Sequence, residues 1–584
     1  MLKRFRTRLA DVDALPQLAI LGLLSGLLAG GVIILFRLTI EYIQAGFLPG
    51  GGTENYEDLS ATLRFLLPTA GGLLIGLIFH ALNTAGGGSI QVGIVHVLER
   101  LAYHQGHMPL RNLVLQFVGA TISLVSGHSV GREGPGVHLG AASSSLLGQS
   151  LRLPNNSTHT LVACGAAASI AASFNTPIAG VVFAMEVILM EYTIAGFAPV
   201  ILAAVSATVL TRFVFGAEPA FSVPTLQLAS LYELPYLLLM GLVIGALAAG
   251  FIVSLKWITE TSSKIVIWQR MTLAGALTGL CALIVPEIMG VGYDTVNQAM
   301  LGQIGLGVLF MVVLFKMLAT TIGLGMGLPG GLIGPTLVIG AAAGGMLGHF
   351  AEMLFPGQVA SPGFYAMLGM GAMMGATLQA PLAALLAMLE LTANPNIILP
   401  GMLAVVVSGI VSSHLFGRES VFLTLLKARG LDMRSDPVAQ SLRRVGVASA
   451  LDPSFAHAPR ELSIAAADRL LEHQPRWVII HNDDDNDEKP VLLVAADLAL
   501  FIKAQRETFD GKIDLLDIPA QRENVASIPQ QATLQEALDL MNEKSVDVLC
   551  VNITPANNKL KNKKADIIGI LTRENVEAHY QRNI

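Results

Sequence analysis

Glu133 lies in Gly131-Arg132-Glu133-Gly134-Pro135, a carboxylate framed by glycines inside an apolar stretch. An ionisable side chain at membrane depth costs roughly 2.5 to 3.5 kcal/mol on insertion scales, so its presence points to an ion or proton pathway. Further along, Gly331-Leu332-Ile333-Gly334-Pro335 repeats the frame without the charge, 200 positions on. A glycine loop ahead of a proline in the first helical turn leaves backbone N–H groups free at a helix start, which makes an anion site without a cationic side chain. Helix-end partial charges of about half a unit hold an anion weakly enough for it to leave again.

The elements that carry these frames are duplicated. Pro135, Gly140, Ala141, Ala142, Leu147 and Gly148 match Pro335, Gly340, Ala341, Ala342, Leu347 and Gly348 at an offset of 200. Gly165, Pro177, Ala179 and Glu186 then match Gly369, Pro381, Ala383 and Glu390 at an offset of 204. Duplicated halves with interrupted helices are the signature of transport proteins whose site lies between the repeats. Gly22, Gly26 and Gly30 read differently, as small residues that let two membrane helices approach.

Composition fixes the class. Of 584 residues, 53% are hydrophobic and 13% charged, with 59 glycines and a mean hydropathy of +0.61, the profile of a polytopic helical membrane protein. About twelve apolar stretches lie between Leu15 and Gly417, among them Leu18 to Phe36, Leu66 to Leu82, Leu113 to Val125, Tyr236 to Val253, Leu309 to Met326 and Ile398 to Leu415. Several fall short of the roughly 20 residues of a simple span, and broken helices are tolerated at that depth only where they are buried or line a cavity. The basic start, Lys3, Arg4, Arg6 and Arg8, reads as a cytoplasmic amphipathic lead-in over residues 1–16. Cys164, Cys281 and Cys550 have no pairing or metal-type spacing and read as packing residues. A net charge of −6 argues against a nucleic-acid partner, and in the membrane half no Gly-x-Ser-x-Gly elbow with a partner histidine and no His-Glu-x-x-His metal motif supports an enzyme.

From Arg418 onward the chain takes on ordinary charge density and the alternation of a soluble α/β domain. Helix 465–472, strand 477–481, strand 491–494 and helix 497–503 are predicted, then a second copy with helix 533–544, strand 546–551, strand 567–571 and a helix from Arg573. This tandem, over about 440–507 and 513–582 within 440–584, resembles a pair of cystathionine-β-synthase-type (CBS) domains.

The membrane half, 17–430 with repeats of about 17–220 and 230–430, resembles the CLC family of chloride channels and proton/chloride antiporters. The residues that carry the resemblance are Gly131 to Pro135, Gly327 to Pro335, Phe174 to Glu186 and Ala380 to Glu390. It implies an inverted-repeat fold with broken helices in the inner (plasma) membrane, both termini cytoplasmic, and a homodimer with one chloride pathway in each subunit. Glu133 becomes the gate, competing with the anion when ionised and carrying a proton when neutral, with Phe422 as inner gate. The implied anion-binding set is Gly88, Ser89, Ile90, Arg132, Glu133, Gly134, Leu332, Ile333 and Phe422, with Arg132 an electrostatic funnel or a fold-stabilising donor. The CBS pair is expected to dimerise and to modulate gating.

Three departures bear on mechanism. The family's first anion motif corresponds to Gly87-Gly88-Ser89-Ile90-Gln91, where the serine is displaced by one position and the proline is lost, so that either Ser89 reaches the ion from a shifted loop or backbone N–H groups hold it alone. The inner-gate tyrosine is replaced by Phe422, which keeps the plug and loses the hydroxyl. The usual pair of glutamates reads Glu186-Val187, so Val187 replaces the inner proton acceptor; Glu186 is, with Glu133, a candidate for the proton path, but is expected rather to bond a helix end. Passive conduction is therefore the expected mode, with proton-coupled exchange as the alternative. In the CBS pair an adenine nucleotide would use Asp497, Thr572 and Asn575, but each copy lacks part of the usual threonine and aspartate signal. No other cofactor or metal is expected, and chloride is the substrate.

Overall fold

A computed structural model describes residues 9, 14–51, 53–84, 90–192, 194–221, 226–431, 437–481, 491–505, 511–520, 522–553 and 567–581. The chain divides into two compact units, one of Leu18–Leu151 and Thr158–Met433, the other of Met1–Gln17, Arg152–Ser157 and Arg434–Ile584.

The first unit is helical: α1 (Leu15–Phe47), α2 (Ala61–Thr84), α3 (Ile94–Tyr103), α4 (Leu110–Val125), α5 (Glu133–Ser150), α6 (Asn155–Phe174), α7 (Pro177–Phe183), α8 (Ile194–Phe215), α9 (Leu234–Ser262), α10 (Ile267–Ile284), α11 (Tyr293–Met300), α12 (Leu306–Gly325), α13 (Ile333–Leu354), α14 (Pro362–Leu378), α15 (Pro381–Thr392), α16 (Ile398–Ile410) and α17 (Val421–Ala428). Among the described residues eight helical stretches are long and apolar enough to cross a membrane. The predicted apolar runs fall inside α1, α2, α4, α9 and α16 with its following π turn, and 309–326 ends one residue past α12; several helices extend past their runs. Hydropathy marks only the part of a helix that sits in hydrocarbon, so a 33-residue α1 exceeds its apolar run of 18–36.

Glycines set the closest crossings. A Cβ on Gly22 would stand 2.4 Å from the Pro199 carbonyl oxygen and one on Gly26 2.2 Å from that of Ala203, so α1 lies directly on α8, as the small-residue spacing predicts. The repeat reappears in space. Gly140 of α5 meets Gly165 of α6, and Gly340 of α13 meets Gly369 of α14, each pair backbone against backbone.

The second unit holds α18 (Pro437–Arg443), β1 (Phe455–Pro459), β2 (Glu461–Ser463), α19 (Ile464–Leu471), β3 (Trp477–His481), β4 (Val491–Val494), α20 (Ala495–Gln505), β5 (Lys512–Asp514), β6 (Arg522–Pro529), α21 (Leu534–Lys544), β7 (Val548–Asn552), β8 (Ile567–Thr572) and α22 (Arg573–Gln581). The six-stranded sheet runs β1-β3-β4-β6-β7-β8, with β1–β3 and β6–β7 parallel and the remaining neighbours antiparallel, so each predicted copy supplies one half. Strand alternation builds the cores: Val478, Ile480 and Leu493 face the helices of the first copy, while Trp477, Ile479 and Leu492 join Val525, Val548, Cys550 and Ile570 on the opposite side. The three cysteines are free and buried.

Candidate ion pathway

The two glycine frames meet. Gly131 N–H donates to the Gly331 carbonyl at 2.7 Å and Gly331 N–H donates to the Gly131 carbonyl at 2.8 Å, an isolated antiparallel bridge between the repeats. Glu133 opens α5 directly after this bridge and is fully buried. Its Oε2 accepts the Gly334 N–H at 3.2 Å, in the first turn of α13. That N–H has no partner within its own helix, so the carboxylate oxygen stands where a free anion would bind.

The other carboxylate oxygen, Oε1, accepts a short hydrogen bond from the Tyr293 hydroxyl and lies 3.8 Å from Arg132 Nε. The Arg132 guanidinium rests 5.2 Å from the centre of the Tyr293 ring and 3.9 Å from Glu41, which Arg37 pairs at 2.6 Å. Arg132 therefore bears on the surroundings of Glu133 through charge. Tyr293 is the residue that sequence reasoning missed, since nothing in its spacing ties it to a glutamate 160 positions away. Gly131 is needed for space, because a Cβ there would stand 2.5 Å from Glu133 Oε2 and 3.0 Å from the Gly334 nitrogen.

Gly134, Leu332, Phe422 and Ile90 line one cavity of about 170 Å3, which Gly93, Gln116, Arg270 and Arg429 also border. Leu332 precedes α13 and Ile333 opens it, so their N–H groups belong to the same helix start. Phe422 is buried in the first turn of α17. Gly88 and Ser89 lie outside the described residues. The lost proline is replaced by Gln91, whose carbonyl accepts from Asn112 Nδ2 at 3.0 Å and whose Oε1 accepts from Arg429 at 2.9 Å.

Glu186 accepts the N–H groups of Leu382 and Ala383 at the start of α15, at 3.2 and 2.8 Å. Val187 is buried beside it, and both border a second cavity of about 430 Å3 with Ser413, Arg418, Glu419 and Ser420. Lys316 of α12 is fully buried and donates to the carbonyls of Ile288 and Gly290 at 3.0 and 2.9 Å. In the second unit the Thr572 hydroxyl accepts the Asn575 N–H at 3.2 Å, and Asn575 Nδ2 donates to the Ala450 carbonyl at 3.3 Å. Asp497 lies in the first turn of α20.

Residues 71–413 match the family described as voltage gated chloride channel. The chain belongs to that family. This is a membrane anion-transport protein. The ClcB-like chloride channel protein of Ralstonia nicotianae is 34% identical over 443 residues, spanning 73% of this chain and all of the relative. The H(+)/Cl(-) exchange transporter ClcA of Vibrio cholerae is 30% identical over 425 residues, 70% of this chain and 88% of the relative. Among solved structures, a slow cyanobacterial Cl-/H+ antiporter superposes with a TM-score of 0.61 at 24% identity, covering 73% of this chain and 98% of its own. A eukaryotic CLC transporter gives 0.58 at 17% identity over 96% of this chain and 97% of its own, which extends the likeness in fold through the α/β unit.

Proposed function

We propose that the chain exchanges chloride for protons across a membrane, with Glu133 as both gate and proton carrier. The carrying observation is the Glu133 carboxylate seated on the Gly334 N–H: an ionised oxygen there competes with chloride for one helix start, and neutralising it releases the site. One group that alternates between blocking the anion while ionised and leaving with a proton couples the two fluxes. Relatives named as exchangers support this reading over the passive conduction suggested by Val187. The cavity beside Val187 gives water a place at the position of the missing acceptor, bordered by Glu186, Arg418 and Glu419. Protons would reach Glu133 from there without a dedicated inner carboxylate.

The same reading takes the subunit as half of a homodimer in the inner membrane, with cytoplasmic termini and a C-terminal CBS pair that dimerises and tunes gating. Thr572 and Asn575 already carry bonds within their own unit, which favours the dimerising role over an adenine-nucleotide site.

The test is the reversal potential of purified protein in liposomes under opposed chloride and pH gradients. A potential shifted by pH, with proton movement abolished and a chloride leak retained in Glu133→Gln, is the expected result. A potential that follows chloride alone overturns exchange in favour of a channel.

A further inference from the structure

Gln116 of α4 is completely buried and borders the cavity of Gly134, Leu332 and Phe422. Its Oε1 accepts the Gly93 N–H at 2.6 Å, immediately before α3. A backbone N–H can bond only to the amide oxygen, so this contact fixes which way the side chain is turned. The amide nitrogen is left as the outward group. Among the described residues, Gln116 Nε2 has no hydrogen-bond partner although it is shielded from solvent. Leaving a buried donor unmet is costly, and a ligand with lone pairs in the cavity would recover that cost.

The cavity's charge says which ligand. Arg270 and Arg429 both border it. Arg270 Nε is likewise buried without a partner, and its guanidinium lies over Gly327, whose added Cβ would stand 2.9 Å from Nη2. Arg429 holds Gln91 at 2.9 Å and lies 3.9 Å from Glu99. The cations concentrate anions in a low-dielectric cleft, while the amide offers neutral N–H groups that bind one without trapping it.

We propose that Gln116 Nε2 is a direct ligand of the transported anion, a donor supplied from α4. The inference rests on the anion-transport reading. It assigns to Gln116 a part in setting anion affinity that the glycine motifs alone do not account for. Its oxygen positions the start of α3 while its nitrogen meets the ion, so one side chain links the segment after the first motif to the occupied pathway.

Chloride binding to the purified full chain, read by isothermal titration, tests it with two variants. Gln116→Leu removes donor and acceptor together and should weaken chloride about tenfold or more, the scale of one hydrogen bond to a charged partner. Gln116→Glu keeps an oxygen for the Gly93 N–H but turns the nitrogen into a second oxygen. It should bind chloride more weakly than Gln116→Leu, with affinity returning as the pH is lowered and the new carboxylate is neutralised. A purely structural role predicts the reverse order, with Gln116→Glu near wild type, and that order overturns the proposal, as does wild-type affinity in both variants. If the unaltered protein neither binds nor moves chloride, the transport reading fails instead.

Discussion

Glu186 and Glu390 each cap the helix that belongs to the other. Glu186, after α7, takes the Leu382 and Ala383 N–H groups that begin α15, and Glu390, near the end of α15, takes the Ile178 and Ala179 N–H groups that begin α7, at 3.1 and 2.8 Å. The offset of 204 that relates the glutamates in sequence also relates their donors. Each carboxylate satisfies two orphan N–H groups and complements a helix dipole, an arrangement that contributes up to about 2 kcal/mol when partly buried. Glu186→Ala and Glu390→Ala should therefore lower thermal stability in detergent by similar amounts. Coupled proton transport in Glu186→Ala liposomes should persist, and its selective loss with unchanged melting would make Glu186 a proton station instead.

Gly131→Ala should uncouple the protein. The new Cβ, 2.5 Å from Glu133 Oε2, occupies the space of the seated carboxylate, and the bridge to Gly331 leaves the backbone little room to retreat. The expected phenotype is chloride flux without proton movement, resembling Glu133→Gln. Parallel measurement of chloride efflux and proton uptake from vesicles decides it, and intact coupling would mean that the carboxylate does not work from this position.

The repeat, both glycine frames, the α/β copies and the helix-end role of Glu186 were legible because each depends on residues close in sequence or on a constant offset. Proline after glycine marks a helix start wherever it occurs, and strand alternation marked 477–481 and 491–494 to the residue. Tyr293 and Gln116 were not legible. Each acts through one atom across a gap that only the fold closes: Tyr293 reaches Glu133 over 160 positions and Gln116 reaches Gly93 over 23.

In the α/β unit, burial first and Asp547 second raise the Glu523 carboxyl above its ordinary range. A raised folded-state value means that the fold favours the neutral acid. Its stabilising contribution is present below the ordinary carboxylate range and is lost as pH rises through the folded value. Glu523→Gln should remove this slope and make the unit less sensitive to pH across that window. Hydrogen exchange of the Val548–Asn552 amides, followed from pH 4 upward in the full chain, reads the difference; equal slopes in the two proteins would sink the assignment.

Tyr293→Phe isolates the other side of the gate. The hydroxyl donates to Glu133 Oε1, while Gly334 holds Oε2 and Arg132 stays at 3.8 Å. Removing a hydrogen bond to a charged group costs about 1.5 to 3 kcal/mol, and here the loss falls on the seated, blocking carboxylate. The ring itself remains to pack against Phe174 and Phe221, at 6.0 and 5.7 Å between centroids, so the fold keeps its apolar support. Chloride should then displace the carboxylate more easily, and turnover at neutral pH should rise by about an order of magnitude if release of the gate limits the cycle. The ratio of chloride to protons should stay the same, because the carrier is still Glu133. A slower Tyr293→Phe protein with an altered ratio would place the hydroxyl in the proton path itself, as a donor that Glu133 depends on and not as a latch that holds it.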